Sequence, residues 1–175
     1  VVSAEQMLQK ILHRAKEIKA MSPSPFLNTF LNPDDNKSSG IKEHLSEFCQ
    51  LDDYDVMSAV KYWQFHQDKT LSTLSRCLVE RKLLKVKLQA ELFPEALVKE
   101  KIKEVCQALS ISEKEAAYFV FTGEASNTTY NAKDERINIL FKDGTIKDIS
   151  QVDNALIQQN LKGTIKKYYI CYLRD

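Results

Sequence analysis

The stretch from Leu51 to Leu88 constrains the fold most, because the spacing of its apolar residues changes within one short segment. Two parts of it repeat apolar residues at the period of a helix, and each follows an aspartate that can accept the N–H groups of a first turn. The caps are Asp52 or Asp53 for the first helix and Asp68 for the second. From Lys85 onward apolar and polar residues alternate, as they do in a strand. The segment therefore predicts helix, helix, strand, with these stripes: Val56, Val60 and Trp63, then Leu71, Leu74 and Leu78.

The remaining helices are also marked by their caps. Ser3 and Gln6 form a candidate capping box for a helix over about residues 4–20. Pro94 suits the first position of an amphipathic helix that runs to about residue 109, and Ser112 opens a short turn. Phe26–Leu31 predicts one or two amphipathic turns, with apolar residues that would be partly exposed if they normally cover another domain.

The second half of the chain has the composition of strands. Tyr118–Thr122 is aromatic and β-branched, which favours a strand, and a polar loop follows to about residue 134. Asp143-Gly144 lies between two apolar runs and predicts a hairpin turn, since both residues tolerate positive φ. Ser150 is the candidate cap of a helix that Gly163 would close. The chain ends with a β-rich run over residues 164–173.

Together these elements predict an α+β fold, with a helical N-terminal half followed by a mainly antiparallel sheet covered by helices. We expect strands near residues 84–89, 118–122, 137–142, 145–149 and 164–173. The clearest loop is 32–40, whose paired Asp34 and Asp35 have no second ligand cluster nearby and so predict solvent exposure rather than a metal site.

Composition excludes several classes of protein. With 43% hydrophobic and 28% charged residues among 175, the chain has a globular composition, and its net charge of +1 gives no general attraction to nucleic acid or membrane. No apolar run reaches the roughly 20 residues of a membrane span. The four cysteines include no C-x-x-C pair, so we expect buried free thiols in a reducing cytoplasm rather than a zinc site: Cys49, Cys77, Cys106 and Cys171.

A resemblance rests on the same central stretch. Its order D-x-D-V, W, H-x-D-x-x-L-S-x-L and R-K-L-L-K, starting at Asp53 and ending at Lys85, resembles the segment after the catalytic core in HD-domain phosphohydrolases. The most similar branch is the deoxynucleoside triphosphate triphosphohydrolases and their bacterial relatives. That family has an R-x-L-F-K signature, and Leu84 stands here where Phe is usual. The resemblance implies that residues 1–83 are the helical part following the HD core and that residues 84–175 are an α+β C-terminal lobe.

The catalytic residues of that family are absent from this chain. HD chemistry needs a His, a distant His-Asp pair and a further Asp to hold a metal that activates water. The histidines here are His13, His44 and His66, and none is followed by Asp. The resemblance therefore implies a C-terminal portion that is inactive alone, with no catalytic or metal-binding residues of its own. The divalent metal would lie in the HD catalytic domain of the same protein, which is the expected partner.

The basic C-terminal end of the central stretch is the candidate site. Five cations (Arg76, Arg81, Lys82, Lys85 and Lys87) stand against the single carboxylate of Glu80. Composition alone favours cations that complement a helix C-terminus. In the regulated triphosphohydrolases the Arg and the final Lys of the signature help to hold the phosphates of an activating nucleotide at a subunit interface. The resemblance assigns those roles to Arg81 and Lys85, and with them a homo-oligomer and a regulatory nucleotide.

Other polar residues have structural explanations. The acidic group Asp52, Asp53 and Asp55 is explained by capping and solvation. Trp63 is expected to anchor a core, and His66 to form a hydrogen bond at a helix corner. Solvent exposure is the expectation for His13.

A second candidate site lies near the C-terminus, where tyrosines alternate with Lys166, Lys167 and Arg174. Aromatic and basic side chains together can stack single-stranded bases, but neighbouring strand residues point to opposite faces, so nucleic-acid binding is the weaker hypothesis. The tyrosines are Tyr168, Tyr169 and Tyr172.

The sequence therefore leaves two classes of function: a regulatory lobe of an HD-type phosphohydrolase, or a stand-alone module that binds a protein or nucleic acid.

Overall fold

A computed structural model describes residues 2–32, 41–128, 137–152 and 164–174. The predicted α+β fold is confirmed: a helical N-terminal half precedes a small sheet. None of the helices in these ranges is long and apolar enough to cross a membrane. The elements are α1 (Val2–Glu17), α2 (Pro25–Leu31), a 3₁₀ turn (Ile41–His44), α3 (Leu45–Phe48), α4 (Asp53–Trp63), α5 (Lys69–Val79), β1 (Lys85–Gln89), α6 (Glu95–Leu109), α7 (Glu113–Ala116), β2 (Phe121–Thr128), β3 (Asn138–Leu140), β4 (Ile146–Asp148), a second 3₁₀ turn (Ile149–Gln151) and β5 (Thr164–Tyr172).

The chain divides into two compact units. The first unit comprises Val1–Lys87, Phe93–Thr122 and Ile170–Asp175, and the second comprises Leu88–Leu92 and Gly123–Tyr169. Strands β1, β5 and β2 form a three-stranded sheet in that order. The expected division of the chain after residue 83 stays a prediction.

Helices α1, α4 and α5 supply the core of the first unit. The predicted stripe of α1 buries Met7, Ile11 and Ala15 completely. The role of Trp63 as a core anchor is confirmed: it is fully buried, and its indole Nε1–H donates to the carbonyl of Met21 at 2.8 Å. Burying that ring together with a satisfied N–H gives the apolar contribution without the cost of an unpaired donor.

Most of the predicted caps are confirmed. Asp52 accepts from the N–H groups of Tyr54 and Asp55, and Asp68 accepts from that of Leu71. The capping box at Ser112 is also present. The box predicted at Ser3 is wrong, because α1 begins at Val2; the buried Ser3 hydroxyl instead donates to the carbonyl of Leu84 at 2.8 Å.

The predicted strand at Tyr118–Thr122 is largely wrong. Tyr118, Phe119 and Val120 form a buried turn after α7, in which the N–H groups of Phe119 and Val120 both donate to the carbonyl of Ala116. A short apolar run suits any buried segment, so its composition did not distinguish a turn from a strand. Strand β2 begins at Phe121 and occupies the start of the predicted polar loop.

In the second unit, the predicted hairpin is confirmed. Strands β3 and β4 pair antiparallel, with Ile139 opposite Lys147. Gly144 adopts φ +83°, in the left-handed region that glycine tolerates without a Cβ clash. The Asp143 side chain accepts from both the N–H and the hydroxyl of Thr145, which fixes the turn. Ser150 lies in the second 3₁₀ turn.

Some predictions fall on residues outside the described ranges. They concern the helix expected after Ser150 from residue 153 onward, and the loop with Asp34 and Asp35. Part of the apolar set in Phe26–Leu31 was expected to be exposed: Leu27 and Leu31 are buried, at 6% exposure each, whereas Phe26 and Phe30 are half-buried. The buried-thiol prediction holds for Cys171, whereas Cys49 is exposed, and all four thiols are free.

Candidate functional site

Arg81 occupies a strained backbone position at the end of α5. The helix ends at Val79, Glu80 caps it, and Arg81 has φ +59°. The N–H of Lys82 donates to the carbonyl of Cys77 at 2.8 Å, and that of Arg81 donates to the carbonyl of Leu78 at 3.2 Å. These two bonds form a Schellman ending, in which glycine is the favoured residue at the position that Arg81 holds.

An arginine at this position costs on the order of 1–2 kcal/mol relative to an unstrained backbone. Local folding therefore does not favour Arg81, although its charge complements the helix dipole. Strained residues of this kind cluster at binding sites. Lys19 and Ser110 have similar positive φ values, so the backbone conformation by itself does not distinguish Arg81, and its surroundings must decide its role.

The Arg81 side chain lines a cavity of about 280 Å³. Two further cations, Lys82 and Arg174, line it too, and its apolar walls are Leu83 and Leu173. Lys82 is paired with Glu80 at 2.7 Å. Among the described residues neither Arg81 nor Arg174 has a carboxylate partner, so the cavity carries an excess of positive charge. The sequence analysis placed Arg174 in the second candidate site, near the C-terminus. In the fold, Arg174 lines the same cavity as Arg81, which belongs to the first candidate site.

Lys85 lies outside the lining of that cavity. It sits on β1, and its ammonium nitrogen is 5.9 Å from the centre of the Tyr172 ring. The expectation that Lys85 and Lys87 share one face is confirmed, since Lys87 Nζ lies 5.6 Å from the same ring. A third lysine, Lys101 of α6, lies 5.3 Å from it. The two residues of the signature thus belong to two neighbouring groups of cations along the chain.

Leu84, where the related signature has Phe, is the residue that fixes this segment. It is 3% exposed. Its N–H lies 3.3 Å from the sulfur of Met7, and its carbonyl accepts from Ser3. Because side chains alternate along a strand, burying Leu84 turns Lys85 toward the other face.

The acidic group at the start of α4 works as a helix cap. The Asp52 carboxylate accepts two first-turn N–H groups, and the Asp55 carboxylate accepts the Asp52 N–H at 3.0 Å. His66 Nδ1 accepts from the N–H of Asp68 at 3.0 Å, as expected for a helix corner. Within the described ranges no group of three or more His, Cys, Asp or Glu side chains is placed to hold a metal ion.

Two of the three tyrosines near the C-terminus are buried, whereas Tyr168 is half-buried. Tyr169 and Tyr172 are only 7% and 8% exposed. The Tyr169 ring packs so closely on Gly123 that a Cβ there would collide with its ring carbon and hydroxyl. Residues buried in this way cannot present the flat faces that single-stranded bases need.

A buried ion network around Arg14 was missed by sequence reasoning. Arg14 is 8% exposed and donates to both Asp68 oxygens, at 3.2 and 2.7 Å. It also donates to Glu17 at 2.9 Å and Glu115 at 3.3 Å. The Tyr118 hydroxyl donates to Glu17 at 2.6 Å. One arginine thereby connects α1 to the start of α5 and to α7.

The network shifts the ionisation of its members. Hydrogen bonds from Tyr118, Lys114 and Arg14 lower the pKa of Glu17 to about 2. Burial and the bond to Glu17 raise the pKa of Tyr118 to about 12. Burial alone would raise the pKa of Asp68, but the bonds from Arg14 and the Leu71 N–H outweigh it and the pKa is lowered. His13, expected to be solvated, is exposed but lies with Nδ1 3.0 Å from the Tyr118 hydroxyl oxygen.

Comparison with solved structures shows a similarity to a phosphohydrolase. No protein-family model matches the chain, and no curated protein matches it. It is similar to the solved structure of a phosphohydrolase from Bacteroides thetaiotaomicron, with 39% sequence identity and a TM-score of 0.84. The match covers 99% of this chain and 44% of that one, so the chain spans less than half the length of the protein that it resembles. The chain therefore shares its fold, and more than a third of its residues, with part of a phosphohydrolase.

Proposed function

We propose that this chain is the C-terminal regulatory and assembly portion of an HD-superfamily, metal-dependent (deoxy)nucleotide phosphohydrolase. The observation that carries the proposal is the similarity to a phosphohydrolase over 99% of the chain at 39% identity. That phosphohydrolase is more than twice as long, which leaves room outside the matched part for a catalytic domain. The motif order around Trp63 and the R-K-L-L-K segment are the reason for choosing the HD class.

The chemistry of hydrolysis belongs, in this proposal, to the HD domain. The described residues offer no cluster that fits a catalytic metal, so no step of hydrolysis is assigned to them. The partners are the HD catalytic domain of the same protein and further copies in a homo-oligomer, in the cytoplasm. A regulatory nucleotide is the expected ligand.

Arg81 is the central residue of the proposed regulatory site. Its guanidinium can hold two phosphate oxygens at once, whereas a lysine is a single point charge. The cavity that it lines together with Arg174 supports this role. Lys85 would add a second cation to the phosphate chain. Two charge-assisted contacts, each worth about 1.5–3 kcal/mol, correspond to roughly two to four decades in affinity.

The first experiment asks whether the chain alone is inactive. The purified chain is incubated with deoxynucleoside triphosphates and Mn²⁺, Mg²⁺ or Ni²⁺. We expect no release of phosphate or triphosphate above the buffer control. Metal-dependent turnover that copurifies with the chain would contradict the assignment of catalysis to another domain.

The second experiment tests Arg81 and Lys85 in the full-length protein. Deoxynucleotide activators are titrated into wild type, Arg81→Lys and Lys85→Ala while assembly and hydrolysis are followed. Arg81→Lys keeps the charge but loses the fork, so it should lose most of the response. Lys85→Ala should weaken the response and make the remainder less sensitive to salt.

A third variant separates binding from folding. Arg81→Gly relieves the positive φ and should leave the free energy of unfolding equal to wild type or about 1 kcal/mol higher. It removes the guanidinium completely, so the nucleotide response should still be lost. Lys69→Ala, at an exposed position of α5, is the matched control for Lys85→Ala. Identical activation curves for all variants would mean that the resemblance to the family extends to the fold but not to the regulatory site.

A further inference from the structure

The cavity at the end of α5 brings together cations from two distant parts of the chain. It has a volume of about 280 Å³ and is lined by Arg81 and Lys82, which precede β1, and by Arg174, which follows β5. Strands β1 and β5 are hydrogen-bonded neighbours in the three-stranded sheet. All the lining residues belong to the first unit. Arg174 therefore reaches the cavity of Arg81 through the sheet and not through its place in the sequence.

The positive charge of this cavity is only partly neutralised. Lys82 pairs with Glu80 at 2.7 Å. Arg81 and Arg174 have no carboxylate partner in the parts of the chain that the structure describes, so the cavity keeps a charge of about +2. Two guanidinium groups that line one small cavity repel each other, and an anion between them would replace this repulsion with attraction.

The size and the donors of the cavity define the class of ligand. A guanidinium can bind two phosphoryl oxygens at once, so two guanidinium groups together need about four oxygens. A terminal phosphoryl group offers three, so both forks are filled only by a chain of two or more phosphoryl groups. Pockets that enclose a whole drug-sized molecule measure about 300–1,000 Å³, and this cavity is smaller. Its space suits a phosphate chain rather than an entire nucleotide.

We propose that Arg174 is the second arginine of this anion site, and that Arg81 and Arg174 together hold a chain of at least two phosphoryl groups. The inference rests on the proposed function, which it deepens by adding Arg174 and by restricting the ligand to diphosphates and triphosphates. Leu83 and Leu173 supply apolar walls, which strengthen a charge-assisted contact by lowering the local dielectric constant. Lys85 does not line the cavity, so its contribution is smaller than that of Arg174.

Cys77 provides a local readout of the cavity. It is a free, half-buried thiol that lines the cavity, so a bound phosphate chain should slow its reaction with iodoacetamide. Cys49 is a free, exposed thiol outside the lining and serves as the internal control. The full-length protein is labelled in EDTA, which withholds the metal that hydrolysis would need. Peptide mass spectrometry then gives the labelling rate of each thiol.

We expect sodium tripolyphosphate and a deoxynucleoside triphosphate to protect Cys77 in a saturable manner. A deoxynucleoside monophosphate should need at least about a tenfold higher concentration, because it leaves one arginine without a partner. The ratio between tripolyphosphate and the deoxynucleoside triphosphate tells whether a free polyphosphate or a nucleotide is the better ligand.

Variants of Arg174 test its role directly. Arg174→Gln should raise the tripolyphosphate concentration for half-protection about tenfold, the size of one charge-assisted contact. Arg174→Lys keeps the charge but loses the fork, and its value should lie between wild type and Arg174→Gln. Lys103→Gln removes a positive charge from an exposed position of α6 and should change the value by less than about twofold. Calorimetric titration with tripolyphosphate measures the same affinities without the thiol, and thermal unfolding checks the fold of each variant.

The outcomes separate this inference from the proposed function. Protection of Cys77 that weakens in Arg174→Gln supports the inference, even where nucleotides change neither assembly nor hydrolysis and so overturn the regulatory role. Activation that depends on Arg81 but not on Arg174 supports the proposed function and overturns the inference. Equal affinity for a monophosphate and a triphosphate, equal slowing at Cys77 and Cys49, or the absence of tripolyphosphate binding also overturns it.

Discussion

The Arg14 network makes a strong prediction about stability. Replacing Arg14 with alanine removes the guanidinium that pairs with three carboxylates among the described residues: Asp68, Glu17 and Glu115. Their side chains are 16%, 29% and 29% exposed. The carboxylates would remain close together, partly desolvated, without the charge that holds them.

The magnitude follows from the burial of each partner. Breaking a buried ion pair by removing one member costs about 3–5 kcal/mol. Glu17 keeps Lys114 at 2.9 Å, and water reaches Glu17 and Glu115, so the lower end applies. We expect Arg14→Ala to lower the free energy of unfolding by about 3 kcal/mol. For a chain of this length each kcal/mol corresponds to about 2–4 °C in melting temperature, so the expected shift is roughly 6–12 °C.

The assay is urea and thermal unfolding of Arg14→Ala, with Arg14→Lys as the variant that keeps the charge. A lysine cannot reach both Asp68 oxygens in the geometry of the fork, so we expect an intermediate loss of about 1–2 kcal/mol. Lys16→Ala, exposed on the same helix, should change stability by less than about 0.5 kcal/mol.

A double-mutant cycle makes the reasoning refutable. Asp68→Asn retains an oxygen that can cap α5, as asparagine is a good N-cap, but loses the charge facing Arg14. If Arg14 and Asp68 act as a pair, the double variant should be clearly more stable than the sum of the two single losses implies. Strictly additive losses, or a loss for Arg14→Ala no larger than that of Lys16→Ala, would show that the network contributes little.

Two further predictions follow from the described contacts. Because the folded-state pKa of Glu17 lies at about 2 and its ordinary value is 4.5, its stabilisation is fully present above pH 4.5 and is lost as the pH falls toward 2; Glu17→Gln should therefore flatten the acid limb of a plot of melting temperature against pH. In Gly123→Ala the new methyl group collides with Tyr169, and we expect a loss of about 1–3 kcal/mol, measured by urea unfolding. Gly123→Ala combined with Tyr169→Leu should recover much of that loss, and no recovery would contradict the steric explanation.

Local sequence determined several of the helix starts. Aspartate and serine caps are recognisable because the group that satisfies the first-turn N–H lies within three residues of it, as at Asp52, Asp68 and Ser112. The hairpin at Gly144 was predictable for the same reason, since its φ requirement is met by the residue itself. The alternation after Leu84 placed Lys85 and Lys87 on one face, which the contacts of both with Tyr172 confirm.

Tertiary structure decided which distant residues meet. Ser3 carries a strong capping signal, yet its hydroxyl serves Leu84 because packing places β1 beside α1. The run Tyr118 to Val120 is apolar whether it forms a strand or a buried turn, and only its contacts after α7 select the turn. Nothing near Arg14 in the sequence indicates that Asp68 and Glu115 will surround it.

The candidate site also combines features that are visible in the sequence with features that only the fold produces. The R-K-L-L-K segment and its excess of positive charge were visible in the sequence, and so was the cap-like position of Arg81 at a helix end. The strain at Arg81, the cavity it shares with Arg174, and the approach of Lys101 to Tyr172 were not. The backbone dihedrals at a helix end depend on the direction that the following strand takes in the fold. A lysine on a charged helix face is expected to be solvated, and only the fold shows that another element packs against it. The sequence by itself thus determined most of the local elements and the charge, whereas the cavity lined by both Arg81 and Arg174 required the fold, because it joins residues that are far apart in the chain.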